Sequence, residues 1–208
     1  MWSLLLCGEC FSWVVPAGGH CPECLAPLRP ETPDPPTEIL RSTIGDLKRK
    51  LGYCRAVRRG GDVPGTLYLT TQGLFFIPHR MEVTKEELEH PPRKSIFIIL
   101  SEMFIPLFNI YSWFMSSRKR LVDVTIFYPI LLLPEDGPML PQLLMSNPGA
   151  FFIPRDRVRA MLYTRGKWTI DRSRGKDLVL LEDPEDRQFS ERILELRNTV
   201  EWRSPLSH

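Results

Sequence analysis

Two cysteine pairs, CGEC at 7–10 and CPEC at 21–24, constrain this chain more than any other feature, because they lie in a stretch too short to bury an ordering core of its own. Such a segment folds around a cross-link. Four thiolates delivered in two pairs can converge on one ion, and Gly8, Gly18, Gly19 and Pro22 let the backbone turn toward it. Two disulfides are the alternative and would suit a secreted mini-protein. Residues 1–6 are too short for the apolar region of an export signal, and Cys7 follows them at once. A site with all four positions filled by protein leaves no coordination place for water or substrate, so its metal folds the chain and does no chemistry.

This spacing over residues 4–28 resembles a zinc ribbon, and the resemblance implies Zn2+ held by Cys7, Cys10, Cys21 and Cys24. A four-cysteine iron site of the rubredoxin kind is left open by the spacing. His20 is a substitute ligand or a neighbour of the site. Cys54, outside the pairs, reads as a small buried apolar residue, and the thiol usage fits a reducing cytoplasmic setting.

The 208 residues, 43% of them hydrophobic, allow one ordinary domain beside the metal module. The formal charge of +2 is modest but unevenly spread. Seven basic residues face one acid between positions 41 and 59, and eight face two between 155 and 176. Residues 29–37 carry Pro30, Pro33, Pro35 and Pro36, an extended spacer that separates residues 1–28 from a domain over 38–203.

Beyond the spacer, Thr37 is placed to cap a helix with Leu40, Ile44, Leu47 and Leu51 on one face, stopped by Gly52. GTLYLTTQGLFFIP at 65–78 reads as a β-hairpin turning at Gln72 and Gly73. Residues 158–164, 167–171 and 177–182 read as three strands, and Asp183-Pro184 as the start of a helix carrying Phe189, Ile193, Leu196 and Val200. The hairpin and the later FFIPRDRV, three strands and closing helix resemble a GRAM domain, a variant of the pleckstrin-homology (PH) fold, over about 38–80 and 150–203. The resemblance implies an α+β chain: a zinc ribbon, then a PH-like β-barrel or sandwich with a closing C-terminal helix. FFIP occurs twice, at 75–78 and 151–154, and reads as a coincidence of strand ends.

Residues 81–149 depart from that family as a long, apolar insertion. Within it, 95–116 reads as a kinked helix with Pro106 at its middle and a polar stripe of Ser95, Glu102, Asn109 and Ser116. Its apolar face, with Phe97, Phe104, Phe108 and Trp113, suits a protein core or partner, a headgroup boundary, or a span paired with 124–133. Arg93 and Lys94 before it, and Arg118, Lys119 and Arg120 after it, suit anionic headgroups.

No phosphate loop, nucleophile elbow or open metal motif occurs, which disfavours an enzyme. The expected function is a binding or adaptor module at an anionic membrane surface. The family resemblance implies Arg165, Lys167, Arg172, Arg174 and Lys176 as headgroup contacts. A protein-interaction subunit of a larger assembly is the alternative. Nucleic acid is disfavoured because residues 1–28 contain no Lys or Arg.

Overall fold

The computed structural model describes residues 4–31, 33–58, 61–88 and 120–202, and the side chains of these except 83–88 and 120–127. Expectations for 95–116, including Phe97, Phe104, Phe108 and Trp113, and for Arg93, Lys94, Arg118 and Lys119, lie outside the described residues, as does the Arg120 side chain.

A short pair, β1 (Leu5–Leu6) and β2 (Trp13–Val14), opens the chain. Helix α1 (Thr37–Ile44) follows the spacer. It is shorter than the spacing of Leu40, Ile44, Leu47 and Leu51 predicts, and Thr37 is its first residue rather than its cap. Gly45, at φ 70°, ends it, and Leu47 and Leu51 belong to strand β3 (Leu47–Arg58). A separation of four satisfies both the helical and the strand period, so the apolar pattern could not tell them apart.

β3 pairs with β4 (Gly61–Thr70), which pairs with β5 (Gly73–Pro78) as the expected hairpin. In the second half, β8 (Phe151–Pro154), β9 (Val158–Thr164), β10 (Lys167–Arg172) and β11 (Leu178–Glu182) complete one antiparallel sheet in the order β8-β5-β4-β3-β11-β10-β9. Both halves therefore share one sheet, joined between β3 and β11, where Leu180 faces Ala56, and between β5 and β8. Its terminal strands β8 and β9 do not bond to each other, so the sheet is open and the expected barrel is not closed. The two FFIP copies pair with each other, Phe75 opposite Phe152 and Phe76 opposite Phe151, with the latter rings stacked at 4.7 Å.

Both faces of the sheet are covered. One face gathers apolar residues from all seven strands, among them Leu51, Leu67, Phe76, Phe151, Met161, Trp168 and Leu180, under helix α3 (Phe189–Asn198) through Phe189, Ile193 and Leu196. The helix begins later than Asp183-Pro184 suggests. Asp186 instead accepts the Tyr53 N–H and pairs with Arg192, and Val200 is exposed while Trp202 is buried. The other face, with Tyr68, Phe75, Ile77 and Phe152, packs against α1, helix α2 (Leu140–Ser146) and Leu6 and Phe11 of the cysteine module. Residues 129–133 are tied to it because the Tyr68 hydroxyl donates to Ile130 O and accepts from Leu132 N.

Apart from the main unit, β6 (Arg80–Leu88) and β7 (Arg120–Tyr128) pair as a two-stranded sheet. Part of the 124–133 run is thus strand, and Ile130 and Leu132 beyond it pack against the main core. Among the described residues no helix is long and apolar enough to cross a membrane.

Candidate metal centre

The two cysteine pairs sit on two copies of one loop. In the first, Phe11 N donates to Cys7 O at 2.9 Å and Cys7 N to Ser12 O at 3.1 Å; in the second, Leu25 N donates to Cys21 O at 2.9 Å and Cys21 N to Ala26 O at 2.8 Å. The residue after each second cysteine is left-handed, Phe11 at φ 51° and Leu25 at φ 63°. This turn aims both sulfurs of a pair to the same side.

The four Sγ atoms lie within 4.8 Å of one another, and Cys7–Cys24 and Cys10–Cys21 are each 3.6 Å apart. All four are free thiols, so the disulfide alternative is not the arrangement found. Cys7, Cys10 and Cys21 are buried and Cys24 is half-buried, and the cluster excludes His20, which is exposed and faces Gly18 O. Four soft donors facing inward from a folded cage can hold a metal ion. The electrostatics agree. The neighbouring Cys10 thiol brings Cys7 down to about 5, while the nearness of Cys7 and burial drive Cys10 upward. Burial raises Cys24 to about 11. One thiolate is thus easily formed and others resist, a conflict that a cation at the centre would resolve.

The cage is not a bead on a flexible spacer. Ser12 bridges Phe151 in antiparallel fashion, Phe152 N donates to Phe11 O at 3.2 Å, and the Phe11 and Phe152 rings meet edge to face at 5.9 Å. Trp13 Nε1 donates to Leu144 O at 2.8 Å. The module therefore covers the outer edge of β8, an edge that would otherwise present unpaired backbone groups.

Arginines of the sheet hold the acid in each knuckle. Arg157 donates to Glu9 O and lies 3.7 Å from the Glu9 carboxylate, as does Arg174. Arg172, buried, reaches Glu23 at 3.5 Å and also donates to Lys176 O. Glu23 O approaches Gly175 so closely that a Cβ there would lie 3.0 Å away. Arg58 stacks on Phe151 at 4.6 Å, and burial lowers its pKa despite the favourable charge of Glu23.

The predicted anion contacts consequently divide. Arg165 and Lys167 are exposed at the β9–β10 turn, where Arg165 and Gly166 both have positive φ as a tight hairpin turn requires. Arg172, Arg174 and Lys176 lie at or beyond the other end of β10, with Arg172 and Arg174 engaged by the cysteine module. Sequence reading missed Glu9, Glu23, Phe11 and Arg157. The available signal was the acid standing third in both CxEC motifs. Comparison with protein-family models, curated proteins and solved structures finds no match to this chain.

Proposed function

We propose that this chain is a non-catalytic binding or adaptor protein, a PH/GRAM-like module for peripheral association with anionic membrane lipids that carries a structural zinc ribbon. The observation that supports this reading best is the strand order. The seven strands form a four-strand run, β3-β4-β5-β8, and a three-strand run, β9-β10-β11, whose last strand bonds back to β3, and a helix follows that strand. That is the arrangement the family resemblance calls for, although the sheet is open.

Zinc is the ion this reading assigns to Cys7, Cys10, Cys21 and Cys24. Tetrahedral Zn–S bonds of about 2.3 Å place sulfurs about 3.8 Å apart, close to the 3.6 Å separations of two pairs. The ion would fix the two knuckles and supply no reaction. Elemental analysis should give one zinc per chain. Metal-free protein with two disulfides overturns the assignment, and iron changes only the identity of the ion.

On the membrane side, Arg165 and Lys167 are the exposed cations this reading uses, each worth about 1 kcal/mol beside an anionic surface. It draws its apolar contact from 95–116 and its flanking cations from Arg93, Lys94, Arg118, Lys119 and Arg120. Vesicles of anionic lipid should pellet the full chain at low salt and progressively less as salt rises, whereas neutral vesicles should not. Failure to pellet with anionic vesicles at low salt overturns the membrane reading. A protein partner is then favoured by one observation: β9 is a terminal strand with Leu162 and Tyr163 exposed, a place where an extended segment can add.

A further inference from the structure

The acids of the two knuckles have the same place in the same loop, and both meet arginine from the sheet: Glu9 with Arg157 and Arg174, Glu23 with Arg172. These contacts sit beside the cage, since Glu9 and Glu23 each precede a cysteine ligand directly. The Arg172–Glu23 pair is withdrawn from water, its side chains 7% and 19% exposed, and is screened less than the exposed Arg174–Glu9 pair. The same module closes the β8 edge through Ser12 and through the Phe152 N–H bonded to Phe11 O.

We propose that Arg157, Arg172 and Arg174 are positioning residues of the metal centre, and that metal occupancy and closure of the β8 edge are one coupled equilibrium. The inference rests on the metal reading of the four cysteines. With the ion bound, both knuckles hold their acids where the arginines grip them, and residues 11 and 12 lie on β8. With the ion withdrawn, the cage loses what orders it, the acids leave the arginines and the Phe152 N–H loses its acceptor. Coupling is reciprocal, so the closed module binds metal more tightly than the open one by the same factor by which metal favours closure.

The test uses the full chain and Zn2+ in competition with a chromophoric chelator. Glu9→Gln combined with Glu23→Gln leaves every sheet arginine in place and should weaken zinc binding about tenfold or more, the range for loss of outer-shell partners. Arg157→Gln should act in the same direction, while Arg165→Gln, at the far hairpin turn, should leave affinity unchanged. Salt should weaken zinc binding by wild type more than by the double Glu variant, a signature that a purely steric role would not give. In parallel, hydrogen exchange at the Phe152 amide should accelerate on chelation and slow again when zinc is restored. Unchanged zinc affinity and salt dependence in the double Glu variant, or unchanged exchange at Phe152, overturns the coupling. A wild-type chain that takes up no zinc overturns the metal reading itself, and the coupling with it.

Discussion

Phe11 and Leu25 adopt the same left-handed backbone for the same purpose, yet one is buried and the other 76% exposed. A left-handed conformation costs a residue with a Cβ on the order of 1 kcal/mol, and Phe11 offsets this by packing on Phe152. His79 is a second residue set by its surroundings. Its ring contacts Thr66 at 3.1 Å and Tyr53 edge to face, and burial lowers its pKa, with Lys50 adding to the effect and Asp183 opposing it. The folded state thus binds fewer protons here than the unfolded chain, whose histidine titrates near 6.5. The stability owed to neutral His79 is complete above that pH and is lost as pH falls through it toward the lower folded value. Urea midpoints of wild type and His79→Gln, compared from pH 8 to pH 5, should shift in favour of the variant as pH falls. A constant difference across that range refutes the assignment.

Tyr68 joins two elements that the sequence separates by some 60 residues, since its hydroxyl serves Ile130 O and Leu132 N together. Tyr68→Phe leaves both without that partner and should cost about 1–3 kcal/mol, read as a lower urea midpoint with an unchanged slope. An unchanged midpoint shows that water takes over both bonds. Legibility followed physical redundancy. The β4–β5 hairpin and β9–β11 were readable because turn residues such as Gly73 and Gly166 bracket β-rich runs. Helix α1 was overextended because Leu47 and Leu51 satisfy two periods at once, and the start of α3 was misplaced because the Tyr53 N–H recruits Asp186. The four cysteines of the candidate metal centre were legible from local spacing alone. Docking of their module onto β8 was not, because it depends on pairs such as Glu23 and Arg172 whose meeting is decided by the whole sheet.

On the zinc reading proposed above, an ion that binds the folded cage and not the unfolded chain makes stability a function of its free concentration. Well above the dissociation constant, each tenfold rise in free zinc should add about 1.4 kcal/mol, seen as a rising melting temperature of the cysteine module in metal-buffered solutions. A melting temperature indifferent to zinc refutes this. The sheet adds a demand of a different kind, because its first strand bonds to its last: Ala56 faces Leu180. Long separations of this sort slow folding, since a large loop must close before its contacts reward it. During translation at roughly 5–20 residues per second, β3 leaves the ribosome several seconds at least before β11 and α3 can meet it. Throughout that interval Leu67, Leu74 and Phe76, fully buried in the finished protein, lack the helix that will cover them. The β4–β5 hairpin therefore waits on the nascent chain with apolar surface uncovered, and the pace of synthesis through residues 79–198 sets how long it waits.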